Sequence, residues 1–398
     1  MTTQEHIDGV RNAYGFYMAD DVGAAELRAL VDLRVRPEDV PHAKEIAKGI
    51  PVYDGAALEP VFAEPAKRRA LLTEWAWVFG EGPGALAISN AHPDVAAIDA
   101  ATTLYDEINE REKTERASDA DHFAADGNNA RVWNSLQKLC LADPDLFLRY
   151  FGAPAITAAS EAWLGPNFQM TAQVNLVRPG GAAQEAHRDY HLGFQTAEGA
   201  AQYPAHVHAL SAIMTLQGAI AHCDMPEESG TTQLLPFSQR LSTGYIAFRQ
   251  PEIRAIFEEH AVQLPLKKGD ALFFNPALLH AAGANRTETV ERMANLIQVS
   301  SAFGIALERI DRLEMTRVLY PAALKVQAAG TLSSAALEAA IACASEGYPF
   351  PTNLDTDPPI GGLAPESQQA LFRRGLAEGM NETAFSAALD AQNARRQA

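Results

Sequence analysis

The stretch EAHRDYHLGF, residues 185–194, sets three possible metal ligands at every second position: His187, Asp189 and His191. Neutral imidazole nitrogen and carboxylate oxygen are donors that a redox-active divalent metal accepts. On a strand, residues i and i+2 lie ~7 Å apart on one face, whereas i and i+4 lie ~13 Å apart. His187 and Asp189 therefore converge on one ion, and adding His191 strains the reach. The third ligand has to come from a distant strand brought alongside, which places this stretch in a β core.

The surrounding sequence agrees. From Phe168 onward the chain runs in short apolar segments punctuated by Gly and Pro: FQMTAQVNLV (168–177), HALSAIMTLQGAI (208–220), TTQLLPF (231–237), AVQLPL (261–266), DALFF (270–274) and VERMANLIQVSS (290–301). Such strands with long, variable connections predict an antiparallel sandwich or barrel rather than βαβ repeats. Before residue 165 the pattern is mainly helical, as in DVGAAELRALVDL (21–33) and PAKRRALLTEWAWVF (65–79). After residue 303 it is helical again, in SSAALEAAIACAS (333–345) and PESQQALFRRGLAEGM (365–380). The organisation read from this is a helical region over 1–165, a β core over 166–302 and a helical extension over 303–398, integrated as one domain. A polar segment, 105–129, reads as a solvated element or a closing element over the site.

Among eleven histidines, His280 is the best placed third ligand. It closes the apolar run of KKGDALFFNPALLHAAGANRT, after a turn signal and just before a Gly-containing loop, so it sits at a strand end. Two imidazoles and one carboxylate leave open positions on the metal, the arrangement associated with non-heme Fe(II) oxygenases. When the electron donor for O₂ is 2-oxoglutarate, its far carboxylate needs a cation, best an arginine fork. Arg286 lies in an exposed-looking loop. Arg292 opens a strand whose alternation puts Arg292, Ala294 and Leu296 on one face, and an inward strand arginine is otherwise costly, so Arg292 is the better candidate.

Four blocks in this order resemble the phytanoyl-CoA dioxygenase family of Fe(II)/2-oxoglutarate oxygenases: ARVWNSLQK, QVNLVRPGGAAQEAHRD, EESGTTQLLPFSQR and KKGDALFFNPALLHAAGANRTETVERMA. The resemblance implies a double-stranded β-helix, or jelly-roll, core. It implies iron held by His187, Asp189 and His280, and 2-oxoglutarate held by Arg292 with Asn175 touching it. Gln173, two residues before Asn175 on the same face, is a candidate for the same pocket. Tyr190, His191, Arg131 and Trp133 are candidate substrate contacts. Phe237 stands where the family usually has Gly, which alters a turn and leaves the ligands intact. The twelve-residue interval from His280 to Arg292 is one longer than usual for the family, which one extra loop residue accounts for. Retention of Asp189 favours hydroxylation over halogenation, because related halogenases carry a small residue there, while desaturation or ring formation can begin from the same hydrogen abstraction.

Composition excludes other classes. A net charge of −18 without a basic run lacks the footprint of nucleic-acid binding. Three scattered cysteines, Cys140, Cys223 and Cys343, form neither a disulfide framework nor a thiolate metal site. The start has no basic end followed by an apolar run, and no stretch approaches the ~20 apolar residues of a membrane span. A cytoplasmic enzyme acting on a small molecule is the expectation. The competing reading is a cupin-like protein that binds a divalent metal for isomerisation or sensing, without redox turnover. Arg292 separates the two, since such a protein has no need of a cation for 2-oxoglutarate.

Overall fold

The computed structural model describes residues 15–115 and 129–397. Ten strands are present among them: β1 (Glu45–Ala47), β2 (Ile50–Asp54), β3 (Ala85–Ser89), β4 (Asn129–Val132), β5 (Gln169–Val177), β6 (Thr215–Ala221), β7 (Thr232–Leu234), β8 (Ala271–Phe274), β9 (His280–Ala282) and β10 (Arg292–Ser300). Eight form one sheet in the order β1-β2-β3-β8-β6-β10-β5-β4, and β7 pairs with β9 in a second, short sheet. All pairs are antiparallel except β2 with β3.

The period-2 alternation of the central strands explains why the large sheet is covered on both faces. Leu86 and Ile88 of β3, Leu216 and Ile220 of β6, Phe273 of β8, and Met293, Ile297 and Val299 of β10 point into a core shared with helices. Those helices include Pro65–Gly80, Val95–Glu115, Pro144–Phe151 and Arg312–Ala329, which contribute Trp75, Tyr105, Phe147 and Leu319. The intervening residues Ala85, Ala87, Ala219, Ala221, Leu272, Phe274 and Ala294 face the other way. They pack with Met225, Leu234, Leu264, Leu266 and Leu278 from the second layer. Small residues dominate the sheet's contribution to this second face, which leaves space between the layers.

Three expectations meet a different outcome in detail. The run 208–220 divides into a helix, Ala205–Ile213, and strand β6. The helix buries Ala205, His208 and Ser211, a spacing of three that serves one helical face and that the apolar character of the run concealed. Residues 261–266 form only isolated bridges, Val262 to Leu234 and Leu266 to Met225. The first 165 residues supply four strands besides helices, because segments such as IPVYD and ALAIS are too short to stand out between amphipathic helices. In the polar segment, residues 105–115 belong to helix Val95–Glu115 and Asn129 opens β4. Residues 116–128, on which the closing-element reading rests, lie outside the described residues.

The C-terminal helices begin where their capping residues dictate. Asp311 accepts from the Glu314 N–H, Ser333 from Ala336, Ser367 from Ala370 and Asn381 from Ala384, each satisfying an N–H that the first turn leaves free. Among the described residues no helix is long and apolar enough to cross a membrane.

Gly218 shows how closely the central strands are fitted. It pairs directly with Phe273, and a methyl group at its Cα would lie 2.5 Å from the Phe273 ring. Gly218→Ala is expected to destabilise the protein by ~1 to 3 kcal/mol through overpacking, read as a lower urea midpoint with an unchanged slope. Adding Phe273→Leu should recover part of the loss; no recovery would mean the clash is not with that ring.

Candidate metal centre

The two histidines meet through their backbones. The N–H of His187 donates to the His280 carbonyl at 2.9 Å, and the N–H of His280 donates back at 3.1 Å. This reciprocal pair is an isolated antiparallel bridge at the end of β9. Their rings lie with centroids 4.4 Å apart. Asp189 is fixed two residues on by its own N–H, which donates to the Pro276 carbonyl at 3.0 Å.

Each imidazole is oriented by the chain beside it. Nδ1 of His187 is 2.8 Å from the Glu185 carbonyl, and Nδ1 of His280 is 2.8 Å from the Leu278 carbonyl. A carbonyl only accepts, so both Nδ1 atoms carry the proton and both Nε2 atoms present a lone pair. Those Nε2 atoms lie 3.8 and 3.5 Å from Oδ2 of Asp189. Ligand atoms of all three residues fall within 4.8 Å of one another, a spacing that fits a single ion; they are the group with this property among the described residues.

Electrostatics keep the cluster ready to bind a cation. Burial alone would raise the Asp189 carboxyl, but its neighbours His280, His187 and the Gln217 amide hold it down to about 2. Burial, followed by the neighbouring His280, pulls the His187 imidazole below its ordinary value. At neutral pH the carboxylate is ionised and His187 is neutral, the states that metal ligation requires.

His191 takes no part, and the physical reason differs from strand reach. The chain turns sharply after Asp189: Tyr190 has φ 64° and ψ 158°, His191 has φ 42°, and His191–Phe194 forms a short 3₁₀ turn. Positive φ at a tyrosine costs on the order of 1 to 3 kcal/mol. The His191 ring is carried to the surface, with Nδ1 3.4 Å from the Ser211 hydroxyl. Tyr190 is buried with its hydroxyl unpartnered, packed edge-on to Phe194. Neither residue lines the cavity that holds the triad.

That cavity has a volume of about 160 Å³ and is lined by the triad together with Arg131, Asn175, Gln217, Arg292, Ala294 and Leu296, among others. The alternation read for β10 is therefore seen: Arg292, Ala294 and Leu296 share the cavity face. Arg292 is 8% exposed, burial pulls its guanidinium down to about 10, and no carboxylate among the described residues pairs with it. Arg286, in contrast, is exposed. Asn175 pairs in register with Ala294 and with Arg131, and its Oδ1 is buried without a partner.

Gln173 has a different place from the one its spacing implied. It is not among the cavity-lining residues; it accepts from Arg131 Nη1 at 2.7 Å and donates to Gln298 Oε1 at 3.0 Å. Arg131 is thereby held at the cavity wall, its guanidinium 4.9 Å above the Trp133 ring. Trp133 itself stays outside the lining. At the turn where the family usually has Gly, Phe237 itself adopts φ 67°, ψ −5°, and Ser238 Oγ ties Leu235 to Leu279, one residue before His280.

Sequence reading missed Gln217. Its Nε2 donates to Asp189 Oδ2 at 2.5 Å, and it was signalled only by being an amide in the otherwise apolar strand TLQGAIA. A carboxylate held by such a donor keeps its orientation toward the imidazoles, the kind of outer support that ligating residues usually have.

Among curated proteins none matches the chain. Solved structures similar to it include the non-heme alpha-ketoglutarate-dependent epimerase SnoN from nogalamycin biosynthesis, 21% identical over 60% of this chain and 82% of that one, with a TM-score of 0.41. The carbocyclase SnoK from the same biosynthesis is 18% identical over 57% and 83%, TM-score 0.41. HygX from Streptomyces hygroscopicus, solved with nickel and 2-oxoglutarate, is 14% identical over 60% and 90%, TM-score 0.39. By sequence, residues 80–294 match the family described as phytanoyl-CoA dioxygenase. That match spans more than half of the chain, which belongs to the phytanoyl-CoA dioxygenase family.

Proposed function

We propose that this protein is a 2-oxoglutarate-dependent dioxygenase that binds Fe(II) through His187, Asp189 and His280. The reaction inferred is hydroxylation of an unactivated C–H bond of a small-molecule metabolite. One atom of O₂ enters the substrate and the other enters succinate, which leaves with CO₂. The observation that carries the reading is a single cavity holding both parts: two Nε2 lone pairs and a carboxylate converging at one end, and a buried, unpaired guanidinium on the same wall. The two facing layers of strands are read as the jelly-roll core of the family.

Bound Fe(II) supplies redox activation of O₂, with 2-oxoglutarate as electron donor. The chain supplies geometry. Backbone carbonyls of Glu185 and Leu278 hold both imidazoles in the ligating tautomer, and Gln217 orients Asp189. Arg292 supplies a charge-assisted fork for a carboxylate, the contact that offsets the cost of burying it. The Asn175 amide sits with its oxygen unpartnered; turned over, the same amide places N–H donors there and suits a carboxylate. Arg131, steadied by Gln173 and Trp133, is assigned to the substrate end, as an anchor for an acceptor group. A cavity of about 160 Å³ favours a compact substrate, or entry of only the reacting end of a larger one.

The ligand assignment predicts the metal content of variants. His187→Ala or His280→Ala should lose stoichiometric Fe(II), because two remaining donors hold a labile divalent ion poorly, whereas His191→Ala should keep iron affinity within a few fold. Metal analysis after anaerobic loading and desalting checks this. Equal loss in the His191 variant would overturn the assignment.

Arg292→Gln separates metal from co-substrate. It should retain iron and lose two orders of magnitude or more in 2-oxoglutarate affinity, since removing one partner of a buried charge pair costs ~3 to 5 kcal/mol. Isothermal titration under nitrogen reads both quantities. Unchanged 2-oxoglutarate affinity, with the loss appearing instead in Arg286→Gln, would place the co-substrate elsewhere. Retention of iron with no 2-oxoglutarate binding in the unaltered protein would favour the non-redox metal-binding reading.

A further inference from the structure

Between the ligands His187 and Asp189 stands Arg188, and its side chain leaves the metal centre for the opposite side. It is 2% exposed. Nη2 donates to the carbonyls of Ser238 and Leu241 at 2.5 and 3.2 Å. Nε is buried without a partner, and Nη1 makes no hydrogen bond among the described residues. No ion pair to Arg188 is present there either: the nearby carboxylate of Glu26 is engaged by the Ser242 N–H and hydroxyl at 2.9 and 2.8 Å. The guanidinium is always charged; Glu26 supports it from a distance, but a buried charge without a paired anion is costly.

The fold makes room for this group rather than tolerating it. A methyl group at Gly244 would lie 1.8 Å from Arg188 Cζ, so the absence of a side chain there is what admits the guanidinium. The Tyr245 ring lies 5.2 Å from Cζ, a cation–π support for the buried charge. Arg188 lines a second cavity, of about 690 Å³, which shares no lining residue with the cavity of the metal centre; its Nε is sealed from that space and its Nη2 is engaged, so Nη1 is the donor left for it. Its walls combine apolar surface, from Trp163, Leu241 and Tyr245, with two further buried polar groups, His208 and Gln239. Nδ1 of His208 and Oε1 of Gln239 are both without partners.

We propose that this second cavity is a binding site for an organic carboxylate with an apolar or aromatic body, its carboxylate held by Nη1 of Arg188. A carboxylate accepts a charge-assisted hydrogen bond from Nη1 and brings a counter-charge into direct contact. The apolar walls accept the body of the ligand. Because Arg188 lies between two metal-ligating positions, ligand bound here is positioned to alter how the chain presents His187 and Asp189. The proposal does not depend on the identity of the metal or of the substrate.

Phenylacetate and its neutral isostere phenylacetamide are suitable probes, titrated into the full-length, metal-free protein by calorimetry. Phenylacetate should bind saturably with one site per chain and at least tenfold more tightly than the amide. Arg188→Gln should lose at least tenfold. Ala209→Trp provides a variant that leaves the arginine alone: Ala209 is exposed and lines the cavity, so the indole fills the space without entering a core. It too should lose at least tenfold, and it decides the matter if the Arg188 variant fails to fold. Arg292→Gln should leave phenylacetate binding unchanged. The proposal is overturned if phenylacetate does not bind, if the amide binds equally well, if Ala209→Trp has no effect, or if binding is lost in Arg292→Gln, which would put the probe in the metal-centre cavity.

Discussion

The reciprocal backbone pair between His187 and His280 is the contact on which the rest of the site depends. Two residues far apart in sequence become neighbours only because β9 pairs with β7 on one side and with the chain at His187 on the other. With the backbones fixed, local carbonyls choose the tautomers, and the Nε2 atoms have one direction left in which to point. Asp189 then completes the cluster through its own tie to Pro276. Each step uses a group the backbone must satisfy anyway, so the orientation of the ligands comes with the fold.

Opposite that bridge the large sheet divides its residues by alternation. Bulky side chains on one face join the helices in the main core. On the other face, Ala219, Ala221 and Ala294 leave the space in which the triad, Gln217, Asn175 and Arg292 sit together. A buried guanidinium with no protein partner is an expensive feature in such a place. A ligand carboxylate makes it sensible, and this is why Arg292 bears on the reaction class while the triad alone shows only a metal site.

Much of this was legible in the residues. His187, Asp189 and His280 stood out by donor type and by strand-end position, and Arg292 by its alternation with Ala294 and Leu296. What escaped were features set by three-dimensional neighbours. The left-handed turn at Tyr190 and His191 has no glycine to announce it, so His191 was set aside by reach along a strand that in fact ends. Gln173 shares the periodicity of Asn175, yet the Arg131 guanidinium draws it into a supporting hydrogen bond away from the cavity lining. Helix Ala205–Ile213 was hidden inside an apolar run that continues into β6, since periodicity over so few residues does not separate helix from strand. The opposite course of Arg188 depends on Gly244 and Tyr245, which lie far from it in sequence.

The central claim is that one cavity holds Fe(II) and 2-oxoglutarate in contact with each other, and spectroscopy without oxygen tests this directly. Chelation of bound Fe(II) by the keto acid end of 2-oxoglutarate produces a weak visible charge-transfer band. The account predicts that Fe(II)-loaded protein, colourless under nitrogen, develops this band saturably as 2-oxoglutarate is added, at one equivalent per chain. Protein that retains its iron and binds 2-oxoglutarate yet develops no band would contradict it, because the two would then occupy separate sites.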